Sequence, residues 1–329
     1  MAVKIVFFMD KFRLMACVAT FLATINVMRC ETFEMLKYGD FENWVTRNIP
    51  ESHLIGGHTK QLYEIAPEAV IDGDKAYSNM GGSPWATSNI MAKVVGITKG
   101  SNAVFPDNRA PGNRCCKLTT LMENCKAIGL INVDVVVAGS IFLGRFFEPV
   151  RSTSEPYSKM EMGIPFRKRP TALRFDYKVQ MPEKSDRIYS SGFGKKKTYP
   201  GHDNAEVYII LQRRWEDEDG NLYAKRVGTG REHFGSSTGG WVNGHKLPVW
   251  YGDITRHPGY KSFMGLIPED KSYYARNSKG KMVPVKEVGW DSPDAVPTHL
   301  MVMASAGSGT AYIGTLGLTL WIDNIGLVY

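Results

Sequence analysis

Two segments of the chain carry polar side chains at every second position, between apolar neighbours. The polar members are Arg174, Asp176, Glu206, Tyr208 and Gln212. Since residues i and i+2 of a strand share a face, each segment predicts a strand with one apolar and one polar face. If the two strands pair, their polar faces combine into a groove of carboxylates, a guanidinium and a phenol, which suits a polyhydroxylated ligand. The alternative is a solvated sheet face with cross-strand ion pairs.

Asp176 and Glu206 are also the candidates for a catalytic carboxylate pair. Glycoside hydrolysis needs two carboxylates at about 5–5.5 Å for retention or about 6.5–9.5 Å for inversion. The sequence gives no distance between the two side chains, and no Ser-His-Asp arrangement offers other chemistry. Hydrolysis is therefore an alternative to binding, with these two residues in the catalytic roles.

Trp85 lies in a glycine- and proline-rich stretch that predicts a loop. An indole exposed on a loop can stack on the apolar face of a sugar ring, because one of its faces is free and flat. We therefore expect Trp85 to contribute to a carbohydrate-binding surface. The alternative is that its ring closes one end of the hydrophobic core.

The apolar terminal strand at Leu318–Tyr329 is interrupted once, by Asp323 and Asn324. Both residue types are poor strand formers, so their place in this strand needs a reason. One reason is a bulge or a turn. The other is an oxygen ligand directed at a cation such as calcium, which binds six to eight oxygens at about 2.3–2.6 Å.

The two ends of the chain resemble the ends of many carbohydrate-binding β-sandwiches. Those modules open with a motif similar to GDFEN at residues 39–43 and close with one similar to IDNIGL at residues 322–327. The resemblance implies that the first and last strands lie together and that Glu42 and Asp323 share a structural calcium. Without a metal, Asp323 would accept hydrogen bonds from backbone amides of the GDFEN turn.

Longer segments resemble the putative carbohydrate metabolism domain, a family common in gut Bacteroidetes. They are Gly81–Val94, Gly163–Lys178, Tyr274–Asn277 and the closing run from Pro297. The resemblance spans nearly all of the chain after residue 30 and implies a carbohydrate-related role without a defined reaction. The chain departs from the family in the loop after the His299 strand, which lacks the usual acidic residue, so a ligand contact from that loop is not expected.

Short segments rich in β-branched residues predict an all-β fold with very little helix. They are Ile90–Val95, Cys116–Met122, Val133–Ser140, Leu173–Val179 and Val207–Gln212. Only Leu121–Gly129 has a mildly helical pattern. Strands at short intervals predict a jelly-roll-like β-sandwich of the galactose-binding type, formed as a single domain by residues 31–329.

Residues 1–30 have the pattern of a signal peptide. Lys11 and Arg13 precede an apolar run at Leu14–Val27, which is too short for a membrane span. Cys30 could carry a lipid anchor, although Arg29 fits a lipoprotein cleavage site poorly. The expected location is periplasmic, outer-membrane-associated or extracellular, with no transmembrane span in the mature chain.

The net charge does not indicate a nucleic-acid partner. The formal charge is +7, of which residues 1–30 carry +3. The remaining excess is spread over many sites without a basic helix or a known recognition module. The sequence as a whole thus predicts an exported protein that binds an oligo- or polysaccharide in a bacterial glycan-utilisation system, with a structural or adhesive surface protein as the last alternative.

Overall fold

Strands dominate the part of the chain that the computed structural model describes, which is residues 31–94, 96–127, 131–184, 186–192 and 194–329. This part contains no α-helix and only three short 3-10 turns, at His53–Ile55, Ser262–Met264 and Glu269–Lys271. The predicted all-β fold is therefore confirmed. The predicted signal peptide lies outside the described residues. Within them, no helix is long and apolar enough to cross a membrane.

One sheet has seven strands. They are β1 (Phe33–Met35), β8 (Val104–Ala110), β9 (Asn113–Ala127), β10 (Ile131–Ala138), β14 (Ala172–Gln180), β19 (Val242–Pro248) and β25 (Thr319–Val328). The hydrogen-bonded order is β10-β9-β25-β14-β19, with β1 beside β25 and β8 beside β9. The helical pattern at Leu121–Gly129 was misleading, because the part of it up to Ala127 pairs residue by residue with β10. Pairing with a neighbouring strand outweighs local propensity there.

A second sheet has ten strands. They are β5 (Trp85–Thr87), β11 (Ser140–Phe146), β12 (Met160–Met162), β13 (Ile164–Pro165), β17 (Ala205–Glu216), β18 (Leu222–Phe234), β20 (Trp250–Tyr251), β21 (Tyr274–Arg276), β22 (Met282–Trp290) and β23 (His299–Ser305). The order is β13-β23-β17-β18-β22-β21-β12-β11-β5, with β20 beside β18. Because β23 also pairs with β11, seven of these strands form a closed circuit.

Three smaller sheets complete the fold. Their strands are β2 (Trp44–Pro50), β3 (Thr59–Ile65), β4 (Ala69–Asp72), β6 (Ile90–Val94), β7 (Ile97–Ser101), β15 (Arg187–Tyr189), β16 (Lys197–Tyr199) and β24 (Ile313–Gly314). The first sheet has the order β3-β2-β4, the second joins β6 to β7, and the third has the order β16-β15-β24.

The main core lies between the two large sheets, as expected for a sandwich. Strand β14 contributes Leu173, Phe175 and Val179, while β17 contributes Val207 and Ile209 from the opposite side. A second apolar cluster packs on the other face of β17. Its buried members are Ala86, Phe142, Met162, Tyr208, Ile210 and Met301. Strand β17 is therefore buried on both faces, which explains its long run of buried residues.

The first and last strands lie together, as the end motifs predicted. Strand β1 pairs antiparallel with β25, and the Ile325 amide donates to the Gly39 carbonyl at 2.9 Å. A Cβ on Gly39 would lie 2.5 Å from the Ile325 carbonyl oxygen, so only glycine allows this approach. The predicted irregularity in the terminal strand is also present, because Asn324 has a φ of 51° and the pairing of β14 with β25 shifts between Arg174 and Asp176.

Candidate functional site

The polar faces of β14 and β17 do not form one groove. The two strands belong to different sheets and turn their apolar residues toward each other across the core. Their polar residues therefore point to opposite outer sides of the sandwich, whose sheets pack about 10 Å apart. The expected groove and the Asp176–Glu206 catalytic pair are both wrong for this reason, since the two carboxylates lie on opposite sides of the protein core.

Asp176 belongs to an ionic cluster on the outer face of the seven-stranded sheet. It lies directly opposite Asp323 in the pairing of β14 with β25. One guanidinium nitrogen of Arg109, from β8, donates to Asp176 at 2.7 Å and to Asp323 at 2.8 Å. Burial alone would raise the pKa of Asp176, but the hydrogen bonds from Arg109, the Gly244 amide and Asn324 hold it below its ordinary value. Burial raises the pKa of Asp323.

The expected calcium ligands are engaged by other partners. Asp323 is held by Arg109, and the Glu42 carboxylate accepts the Arg114 amide at 3.2 Å. The Arg109 guanidinium thus occupies the position beside Asp323 that a metal ion would take. Across the described ranges, no three or more acidic, histidine or cysteine side chains are grouped so that they could hold a metal ion. With Arg109 beside Asp323, this arrangement of donors does not fit a calcium ion.

Trp85 is a core residue, contrary to the expectation of an exposed platform. Only 1% of it is exposed, and its ring packs against Phe41 with the centroids 5.7 Å apart. The indole nitrogen donates to the Lys37 carbonyl at 2.9 Å. Both faces of the ring are covered, so Trp85 cannot stack on a sugar.

Arg174 and Gln212 each contribute to a different local structure. The Arg174 guanidinium lies over the Phe33 ring at 4.7 Å on the outer side of the seven-stranded sheet. Gln212 is buried and donates to Glu287 at 2.6 Å. Glu287 also forms a fully buried ion pair with Arg226. Neither Arg174 nor Gln212 lines the cavity described next.

A cavity of about 1010 Å³ covers the face of β17 that points away from the main core. Two of the predicted site residues, Glu206 and Tyr208, line it. Further lining comes from β18, from the segment at 262–273 and from the segment at 150–160. This volume is at the upper end of the range for small-molecule sites, about 300–1,000 Å³.

Three charged or titratable side chains form the cavity floor. Glu206 accepts two hydrogen bonds at the same oxygen, Oε1, from Arg231 Nε at 2.5 Å and from His233 Nε2 at 2.8 Å. The Glu206 side chain is 4% exposed, whereas those of Arg231 and His233 are 20% and 18% exposed. Burial alone would lower the pKa of Arg231, but Glu206 raises it above the ordinary value. The floor therefore holds a fixed carboxylate beside a permanent cation.

Aromatic rings surround this floor. The His233 ring stacks on Phe263 at 3.7 Å with an interplanar angle of 13°, and Arg231 also donates to the Phe263 carbonyl at 2.8 Å. Tyr157 packs edge-on against Tyr273, with the centroids 5.6 Å apart. Burial raises the pKa of Tyr273 to about 12. Burial also raises the pKa of Tyr157, so the two tyrosines remain neutral and offer ring surface together with hydroxyls.

Sequence reasoning missed Arg231 and His233, although a signal was present. The Asp217–Gly220 turn closes the β17–β18 hairpin, and its Asp-Gly pair was recognisable as a turn. Counting outward from that turn, with one register shift, places His233 opposite Glu206 and Arg231 opposite Tyr208. The polar face of β17 thus meets its partners on the next strand.

The fold and the cavity define an all-β sandwich protein with a site large enough for a small organic ligand. The chain belongs to the putative carbohydrate metabolism domain family, whose model matches residues 40–240. The matched part includes Glu206, Arg231 and His233. No curated protein matches the chain in sequence.

The solved structures that resemble the chain include two with a TM-score of 0.41. One is a "putative glycoside hydrolase" from Bacteroides thetaiotaomicron VPI-5482, 17% identical, with 83% of this chain and 76% of that chain covered. The other is a "putative glycoside hydrolase" from Bacteroides vulgatus ATCC 8482, 14% identical, with 90% of this chain and 94% of that one covered.

Proposed function

We propose that this protein binds carbohydrate in the cavity above β17. The observation that carries the proposal is the floor of that cavity, where Glu206, Arg231 and His233 are held in fixed positions beside aromatic rings. Membership of a carbohydrate-related family supports the same class of ligand.

The chemistry of the floor suits sugar hydroxyls. A hydroxyl both donates and accepts hydrogen bonds, so it pairs with a carboxylate and a guanidinium that lie side by side. Glu206 Oε2 accepts no hydrogen bond from the described residues, and Arg231 Nη2 donates none to them. Both atoms are therefore available to a ligand. The exposed ring surface of Phe263 can cover the apolar face of a pyranose.

Binding is favoured over hydrolysis by the way Glu206 is held. Its Oε1 is engaged by two donors, one of them a permanent cation. Such a carboxylate keeps its position, which suits a hydrogen-bond acceptor for a ligand. Asp176 lies across the core from Glu206, so the carboxylate pair suggested by the sequence does not support the hydrolase alternative.

The wider role that we propose is that of an exported binding protein of a bacterial glycan-utilisation system, with an oligo- or polysaccharide as the partner. The leader pattern in residues 1–30 supports export to the periplasm, the outer membrane or the medium. A lipid anchor at Cys30 would keep the protein at a membrane surface. Globomycin treatment of expressing cells tests the anchor, because it blocks processing of lipoproteins alone.

A glycan array followed by calorimetry tests the binding proposal. Arg231→Met should weaken any glycan that binds at least tenfold, because it removes the donor and leaves Glu206 buried without its cation. Arg256→Met is the matched control, since Arg256 is exposed and does not line the cavity. Circular dichroism establishes that both variants are folded. Absence of binding to every glycan would favour the structural or adhesive alternative, and equal binding by both variants would remove the cavity from the proposal.

A further inference from the structure

The cavity has two chemically different parts, and one of them is rich in aliphatic side chains, which line it together with Lys99, Ser101 and Glu123. Strand β6 directs Ile90, Ala92 and Val94 into the cavity, and β10 directs Val133, Val135 and Val137 into it. The alternation is that of strands with one apolar face. These six side chains are only half-buried, so the protein leaves apolar surface open to the cavity. We call this surface the aliphatic wall.

The other part is the floor, where hydrogen-bonding groups remain without protein partners. Tyr208 is 1% exposed, and its buried hydroxyl lies beside the hydroxyl of Tyr273. Glu206 Oε2 and Arg231 Nη2 lie on the same floor. These two groups have no hydrogen-bond partner among the described residues, and the polar groups of a ligand can supply one.

From this division we infer that the cavity takes a glycoside with an apolar substituent, an alkyl or aryl group, and not an unsubstituted sugar chain. The inference rests on the proposed function. The sugar lies on the floor against Glu206, Arg231 and Tyr208, and the substituent lies along the aliphatic wall. An unsubstituted glycan would lose water from the hydroxyls that meet the six aliphatic side chains, which offer no hydrogen bonds in return. An apolar group on the same wall gains from every methylene that leaves water.

Calorimetry on the full protein tests the inference with paired probes. The probes are methyl and octyl β-D-glucopyranoside, methyl and octyl β-D-galactopyranoside, and 1-octanol, with the octyl glycosides below their micelle concentration. We expect at least one octyl glycoside to bind at least tenfold more tightly than its methyl partner and than 1-octanol. Equal affinity of methyl and octyl forms would overturn the inference and leave the proposed function standing. Binding of 1-octanol as tight as that of the glycosides, or no binding by any probe, would overturn both.

Two wall variants locate the substituent. Val135→Thr and Val137→Thr keep the side-chain shape and add a hydroxyl, so each should reduce the octyl advantage at least threefold with methyl glycoside affinity unchanged. Val70→Thr is the matched control, because Val70 is 68% exposed on β4 and does not line the cavity. Ala92→Ser provides an independent wall variant if a valine variant does not fold, as judged by circular dichroism. An octyl advantage that survives all of these changes would contradict the placement on the wall.

Discussion

At the scale of single residues, the chain contains a carboxylate whose environment opposes its charge. Glu64 is buried in β3 and shares the guanidinium of Arg47 with Glu148. Thr87 donates to its other oxygen at 2.9 Å. Burial raises the pKa of Glu64 to about 8, and repulsion from Glu148 acts in the same direction. One cation faces two carboxylates, so the folded protein favours a proton on Glu64.

This arrangement predicts a loss of stability with rising pH. In the unfolded chain Glu64 has its ordinary pKa of 4.5, and in the folded protein its pKa is about 8. The stability that neutral Glu64 contributes is therefore fully present below pH 4.5 and is lost as the pH rises to about 8. Between pH 5 and 8 we expect the free energy of unfolding to fall by about 1–3 kcal/mol more in the wild type than in Glu64→Gln. Urea titrations at several pH values measure the difference. Glu68→Gln, an exposed change directly before β4, is the control. Parallel pH profiles for all three proteins would contradict the prediction.

At the scale of strands, Arg109 connects three elements that are distant in sequence. It lies on β8 and binds Asp176 on β14 and Asp323 on β25. Its guanidinium also lies 4.5 Å over the Trp241 ring. The two aspartates face each other across paired strands, and without Arg109 they would repel each other. The cation therefore fixes the pairing of β14 with the terminal strand.

Removing the Arg109 guanidinium should destabilise the sandwich and allow an added cation to stabilise it. We expect Arg109→Met to lower the free energy of unfolding by about 2–4 kcal/mol, because it leaves two largely buried carboxylates unpaired. The melting midpoint of the wild type should be the same in chelator and in millimolar calcium. The midpoint of Arg109→Met should be higher in calcium than in chelator, since the ion stabilises only a folded state that binds it. Adding Asp323→Asn should abolish that calcium response. A wild-type midpoint that rises in calcium, and no longer rises in Asp323→Asn, would instead establish the metal site that the end motifs imply.

At the scale of the whole molecule, the sequence predicted faces within strands better than neighbours between strands. Alternation identified the polar side of β14 and of β17 correctly, because it depends only on period two. It could not show that β14 pairs with β19 and β25 while β17 pairs with β18 and β23, since those contacts join distant parts of the chain. Trp85 illustrates the same limit, because its burial depends on Phe41, 44 positions earlier. The end motifs succeeded because they already describe a long-range contact.

The opposite placement of the two polar faces has an energetic consequence. Asp176 and Glu206 share no partner and are separated by the core. The destabilisation by Asp176→Asn and that by Glu206→Gln should therefore add in the double variant to within about 0.5 kcal/mol. Glu206→Gln and Arg231→Met act on one ion pair, so their effects should be non-additive by more than that amount. Urea unfolding of the three single and two double variants decides the matter. Strong coupling between Asp176 and Glu206 would mean that the two carboxylates act on a common site, contrary to the architecture of the sandwich.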